Sequence, residues 1–478
     1  MFDGFEMGLF PVISRPALAE LFRSSGITDA KQVEALVGQW NGLTIAGFLI
    51  GAATGGVLFG WLGDRIGRVR AMSLSILTYA LVSGVGAFAT APWHIVLVRF
   101  IAALGMGGEW SLGVALVMEV WQGRSRAMLA GLIGAAANAG YALVALLSLG
   151  LSSIRGTLTE WGFSSSWVEW RLLMMCGVLP ALLTFFVRLY VPESHSWEKE
   201  KEKGATKGWA TKDLLGVLLG AFACWGILIL WSQPVSTWQR VAGTLLALSL
   251  VFLGYIYPVF RYLGRSSESE GSAKNILTRM LLGVMLSSIP LLATWGAVQW
   301  APTWADQLAN PPQAVETAGV SKNPQARAYT TLFSALGAIV GAFAGALIAG
   351  RVGRRWTYAG LCLASMGSVL LFYQTNTEFN SWFIITCTLM GGCSAAFYGW
   401  LPLYLPELFP TRVRATGQGF SFNFGRILAA IGALQTGAIM GAFQGGYPEA
   451  CSLMGSIYLL GIALVWLAPE THGKEMPE

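Results

Sequence analysis

Gly63-Asp64-Arg65-Ile66-Gly67-Arg68 and Gly350-Arg351-Val352-Gly353-Arg354-Arg355 decide how this chain is read. Each is a basic, glycine-punctuated break directly after a long apolar run. Each is followed at matched distance by another charged pair: Glu119 stands 52 residues beyond Gly67, Glu407 stands 54 beyond Gly353, and Arg126 and Arg414 each follow seven positions later. Four elements recurring at this spacing mark two halves of one design. Parallel halves of this kind place a ligand site at their interface, near the middle of a membrane.

The runs around these breaks are membrane spans. Of the 478 residues 54% are hydrophobic and 12% charged, about half the charge of a soluble domain, which excludes a soluble enzyme, a disordered chain and a disulfide scaffold. Spans of about 20 apolar residues fall near 2–22, 39–62, 71–90, 93–121, 127–150 and 170–191, then 213–232 and 241–260, then 277–301, 328–350, 357–375, 381–405, 416–440 and 451–468. The predicted fold is an all-α integral membrane protein of about 14 transmembrane helices, two pseudo-symmetric six-helix bundles plus two central helices. Its expected divisions are a bundle over 1–192, a cytoplasmic linker with two extra helices over 193–276, and a bundle over 277–478. Lys and Arg in alternate loops are about threefold enriched on one side, which puts both termini in the cytoplasm and the protein in the plasma (inner) membrane.

The net charge of +6 sits in short clusters between spans, so no nucleic-acid partner is expected; membrane lipid is. Six cysteines without a CxxC pair and three scattered histidines give neither a metal nor a cofactor site. Met1-Phe2-Asp3 lacks a basic leader, so no cleavable signal peptide is expected. Nothing in the chain makes a nucleophile–base constellation or a phosphate loop, so the reading is not an enzyme.

Ionisable groups at membrane depth are functional candidates by default. Four stand out: Glu6, Arg99, Glu109 and Arg426. Helical rise puts Glu109 about 20 Å from either end of its span, Arg426 about 15 Å from the inner end of its own, and Glu6 about 20 Å below the outer end of the first. Arg99 lies only about 9 Å below an outer end, so a pair with Glu6 asks for a long reach or a bent helix. An acid beside an arginine in a dry interior takes up and releases a proton as its surroundings change, which makes Glu6, Glu109 and Arg99 candidates for proton coupling. Arg426, with Asn423 one turn before it, points to an anionic small-molecule substrate, because a guanidinium grips a carboxylate bidentately; a pair with Glu109 would instead consume its charge. Trp295, Trp300, Trp304, Tyr398 and Trp400 offer aromatic wall, with Trp304 the better candidate for an interfacial belt. Asn138, Tyr141 and Gln299 offer polar contacts suited to a hydroxylated substrate.

Together these motifs resemble the major facilitator superfamily over almost the whole chain. The hexapeptide at 63–68 resembles its loop motif after helix 2; Pro192-Glu193-Ser194 and Pro469-Glu470-Thr471-His472-Gly473 resemble sugar-porter signatures after helices 6 and 12. Gly105-Met106-Gly107-Gly108-Glu109-Trp110, Arg412-Val413-Arg414-Ala415-Thr416-Gly417 and Asn423-Phe424-Gly425-Arg426 resemble the metabolite and sialate proton symporters, as does the two-helix insertion. The resemblance implies a proton-coupling pair at Glu6 and Arg99. It also implies that Asp64 sits at the start of helix 11 near Thr416, and that Arg68, Arg126 and Arg414 pair with Glu119 and Glu407 to latch the halves on the cytoplasmic side. The expected function is alternating-access proton symport of a small organic acid, sialic acid or another hydroxylated monocarboxylate. A neutral-sugar proton symporter is the alternative; drug efflux and a non-transporting sensor rank lower, since residues 127–150 contain no proline and the tail after Pro469 is short.

Overall fold

The computed structural model describes residues 1–477 apart from 28, 122–125, 163–166, 234, 267–269, 310–322, 324 and 443–445. The described residues form helices and connecting turns, with no strand among them. The first set of crossings is α1 (Phe2–Ser24), α2 (Ala30–Ile66), α3 (Arg68–Val85), α4 (Pro92–Val120), α5 (Arg126–Ser153) and α6, which runs through Trp167–Arg171, Leu172–Met175, Cys176–Val178 and Leu179–Tyr190. A central pair follows, α7 (Leu214–Ser232) and α8 (Thr237–Leu263). The second set is α9 (Glu270–Gly296, continued by Ala301–Ala309), α10 (Ala326–Val352), α11 (Arg354–Thr375), α12 (Ser381–Ala395 and Phe397–Leu408), α13 (Arg414–Ala442) and α14 (Tyr447–Gly455 and Ile457–Leu464). Among the described residues, eleven helical stretches are long and apolar enough to cross a membrane. The others, α1, α6 and α13, are interrupted or carry the charged and amide side chains that face the interior.

The two hexapeptides are the tightest joints in the fold. One residue, Gly67, separates α2 from α3, and one residue, Gly353, separates α10 from α11. Their φ values of 112° and 103° lie where a side chain is strained, so only glycine lets one helix fold straight back from the other. These two turns lie on one face of the molecule, called here the turn face.

The halves meet along two seams, α2 against α13 and α5 against α10. The first seam is close: a Cβ on Gly419 would stand 2.3 Å from the Gly56 carbonyl oxygen. The central pair packs on itself and against both α2 and α13.

Two features of the helices go beyond the apolar spans. The second span, read as 39–62, is a helix of 37 residues, about 55 Å long and well beyond a hydrocarbon core of about 30 Å. Its first turns pack against the end of α1 around a small apolar cluster of Leu18, Phe22, Val33 and Val37, at the end of the molecule opposite the turns. The other is continuity: α6, α9, α12 and α14 are broken. Such breaks leave the apolar composition intact and are silent in a hydropathy count. Those in α9 and α12 fall beside Gln299 and Tyr398.

Candidate functional site

Glu6 of α1 is level with Arg99 of α4, so the two reach one another without the long span that helical rise alone suggested. An Arg99 Nη1–Glu6 Oε1 hydrogen bond joins them, and Arg99 Nη1 also donates to the Glu6 carbonyl at 3.3 Å. Glu6 is 1% and Arg99 2% exposed. The guanidinium lies over the rings of Phe10 (5.3 Å) and Phe48 (4.7 Å), and Phe48 in turn touches Trp295 of α9 at 6.1 Å. A buried ion pair is thus connected through one ring to the other half. Glu6 Oε2 has no hydrogen-bond partner among the described residues.

Glu109, also on α4, sits apart from that pair, beside Tyr79 of α3 and Asp3 of α1. Its Oε2 is buried and has no hydrogen-bond partner among the described residues. Glu109 is not the counter-ion of Arg426. On α13, the guanidinium of Arg426 is 4% exposed, lies 5.2 Å over the Phe422 ring and reaches Met106 Sδ at 3.8 Å. Among the described residues no carboxylate is within ion-pair distance of it; its polar neighbours are Tyr398 and Tyr141, with the Asp3 carboxylate farther off. Tyr141 of α5 faces Gln299, and the Tyr398 hydroxyl donates to Thr294 Oγ1 at 3.0 Å. Arg426, Tyr141, Tyr398, Gln299 and Thr294 therefore gather where α5, α9, α12 and α13 converge.

Directly toward the turn face, Phe422 stacks on Trp110 of α4 with ring centroids 3.7 Å apart and planes 12° from parallel. This floor crosses between the halves, and sequence reading missed both residues. Phe422 precedes Arg426 by one turn and so shares its face, but among 25 Phe and 20 Trp nothing marked the pair.

Other predicted site residues lie elsewhere. Asn138 donates to its own helix at Gly134 O (2.9 Å). Asn423 is buried in the α2–α13 seam, donating to Gly419 O at 2.9 Å. Trp400 is not cavity wall: it is buried, donates to Arg354 O at 3.0 Å and packs on Tyr358 and Tyr404. Trp304 is no interfacial belt residue either, being 3% exposed and stacked on Tyr373 at 5.0 Å. Trp300 rests near Tyr447 at 6.2 Å.

At the turn face a charged network spans both halves. Asp64 accepts from Thr416 N (2.9 Å) and Thr416 Oγ1 (2.6 Å), at the opening of α13, where the free N–H groups favour an anion. Arg68 donates to Asp64 (2.6 Å), Glu119 (3.1 Å) and the Thr411 carbonyl (2.8 Å). Glu119 also receives Arg414 at 3.0 Å, across the halves, and the Ser194 hydroxyl at 2.5 Å. The second half repeats the pattern: Glu407 takes Arg354 (2.7 Å) and the Thr471 hydroxyl (2.5 Å). Its link to Arg126 is looser, 3.9 Å, and that arginine also donates to Lys474 O at 3.2 Å. The signature glutamates are equivalent too, Glu193 accepting from Arg68 N at 2.8 Å and Glu470 from Arg354 N at 3.0 Å. Burial opposes charge on Glu470, but the N–H groups of Arg354, Arg355 and His472 outweigh it and hold the carboxyl below its ordinary value. Arg354, Ser194 and Thr471 were legible as motif members, not as partners.

A family model described as Major Facilitator Superfamily matches residues 4–310, and one described as Sugar (and other) transporter matches 259–478. The chain is 26% identical over 436 residues to the inner membrane metabolite transport protein YgcS of Escherichia coli, covering 90% of this chain and 82% of that one. It is 24% identical over 483 residues to the niacin transporter NiaP of Acinetobacter baylyi, covering 100% and 93%. Its fold is similar to that of the proton:xylose symporter XylE bound to 6-bromo-6-deoxy-D-glucose, with a TM-score of 0.68 at 17% identity over 99% and 95% of the two chains.

Proposed function

Because this chain belongs to the Major Facilitator Superfamily, we propose that it is a secondary active transporter carrying a small organic acid together with a proton by alternating access. It is a membrane transporter and not an enzyme. One observation carries the substrate class: Arg426 is a buried cation with aromatic rings around it and no carboxylate partner among the described residues. A cation so placed is costly unless an anion reaches it, and a substrate carboxylate supplies that anion through two parallel hydrogen bonds. Tyr141, Gln299 and Thr294 are positioned to read hydroxyls, as in sialic acid or another hydroxylated monocarboxylate. The Trp110–Phe422 floor and Trp295 favour a flat acid as a second substrate class, in keeping with a relative named for niacin. Against a neutral sugar stands the unpaired guanidinium itself.

Proton coupling is assigned to the Glu6–Arg99 pair and to Glu109, and gating to Asp64, Arg68, Glu119, Arg126, Glu407 and Arg414. The basic bias of the loops makes the turn face cytoplasmic, with both termini inside and the protein in the inner membrane.

The test is uptake by proteoliposomes of sialic acid, cis,cis-muconate, nicotinate and xylose, with the outside acidified. Uptake of an acid is expected, to be abolished by Arg426→Gln and restored to less than about a tenth by Arg426→Lys, because an ammonium lacks the fork. Uptake of xylose alone, unaltered by Arg426→Gln, would overturn the reading.

A further inference from the structure

The central helix pair is attached to the two halves by different kinds of contact. Toward the first half the bonds are directional. The Tyr255 hydroxyl of α8 meets Thr54 Oγ1 of α2 at 2.6 Å; Thr54 passes its own proton to Ile50 O at 2.9 Å, so Tyr255 is the donor. Trp225 of α7 packs edge-on against Phe100 of α4 at 5.1 Å. At the turn face Arg65 donates to Thr211 Oγ1 at 2.8 Å, just ahead of α7. Toward α13 the contact is apolar and stepped: Phe252 of α8 sits between Phe420 and Phe424, at 5.8 and 5.9 Å. Those two rings are one helical turn apart on one face.

The pair is also internally stiff. A Cβ on Gly254 would stand 2.5 Å from Gly216 O, so the two helices touch backbone to backbone, and Arg265 is ion-paired to Asp213. Val251, Tyr255 and Val259 form its buried stripe, while Leu246, Leu253 and Phe260 face outward.

We propose that α7 and α8 are a rigid lateral shield, carried by the first half and sliding on α13, that covers the α2–α13 seam while the halves rock. In hydrocarbon, the Tyr255–Thr54 hydrogen bond has no water to replace it if broken, so it stays made. A ring moving past a ring exchanges one dispersion contact for another at little cost. The element with directional bonds therefore travels with α2, and the displacement falls on Phe252. A step from one notch of the Phe420–Phe424 ladder to the next is one turn, about 5.4 Å. This inference rests on family membership and not on the substrate assignment.

The test needs no substrate. In full-length protein in lipid nanodiscs, with the six native cysteines replaced, spin labels are placed in pairs at Thr90 and Gln233, Gln233 and Thr375, and Thr90 and Thr375. Distances are measured by pulsed EPR in the parent and in Asp64→Asn, which loosens the latch. The expected result is an unchanged Thr90–Gln233 distance, with Gln233–Thr375 and Thr90–Thr375 shifting together by about one turn. A second arm uses disulfides. A Phe252→Cys/Phe420→Cys bridge should freeze the Thr90–Thr375 distribution until reductant is added, whereas a Phe100→Cys/Trp225→Cys bridge should leave it free. A moving Thr90–Gln233 distance, a set in which no distance moves, or free motion with the 252–420 bridge closed each overturns the proposal.

Discussion

Glu6 and Glu109 are both acids in the interior of the first half, yet their surroundings divide them. Glu6 is neutralised by Arg99, whereas Glu109 has a tyrosine and Asp3 for neighbours. Replacing the true proton carrier by Gln should abolish accumulation driven by a pH gradient while sparing substrate-for-substrate counterflow, since exchange needs no deprotonation. Both modes are to be measured in liposomes for Glu6→Gln and Glu109→Gln separately; loss of counterflow in both would mark them as structural. A second contrast concerns the latch arginines. Arg414 bonds Glu119 at 3.0 Å, but Arg126 reaches Glu407 only at 3.9 Å. Arg414→Gln should therefore cost about 3–5 kcal/mol of latch stability and Arg126→Gln under about 1 kcal/mol, read from the shift in the open fraction by accessibility of a turn-face cysteine. At this scale the sequence makes the charged residues conspicuous, because an apolar span displays them. It hides their partners: that Arg99 takes Glu6, and that Arg426 takes neither acid, depends on helix offsets that no spacing records.

Among the elements, the one-residue joints were the most legible and the broken helices the least. A glycine followed by arginine just after a glycine-ended apolar run, Gly67-Arg68 and Gly353-Arg354, names its turn, since positive φ is expensive for any other residue. Gly67→Ala should destabilise by about 1–3 kcal/mol from backbone strain alone. It should be the worse of the two joints, because the added Cβ would stand 2.3 Å from Glu193 Oε2, against 3.2 Å from Glu470 Oε2 at Gly353. Thermal unfolding in detergent compares Gly67→Ala with Gly353→Ala, and equal losses would count against this steric account. Glu470 adds a pH dependence with a definite sign. Its folded pKa is depressed, so its contribution is present above the ordinary value of 4.5 and is lost as pH falls through the folded value. Glu470→Gln should accordingly lower the melting temperature at neutral pH and flatten its decline in acid. The breaks in α9 and α12 were invisible because the residues at them, Ala297 and Ala396, are as apolar as their neighbours.

The whole molecule was readable as two repeated sets around an insertion, because the charged loops mark every second turn and repeat at fixed spacing. Where the insertion docks was not readable: α7 is apolar all round, and only the fold assigns one face of the pair to the α2–α13 seam. Their topology is testable, since a cysteine at Thr237 should be labelled by an impermeant reagent from outside intact cells and one at Ser266 should not; labelling at 266 would remove the central pair of crossings. The overlong α2 has a practical consequence. A chain of 51.2 kDa sunk in a lipid disc offers little for an electron microscope to orient by. The paired ends of α1 and α2, which meet at Leu18, Phe22, Val33 and Val37, form a spur continuous with the helix that bears Thr54 and Asp64. A binder raised against that spur would be both a fiducial and a lever: it would report the tilt of the first half directly, without touching the seam, the floor or the latch.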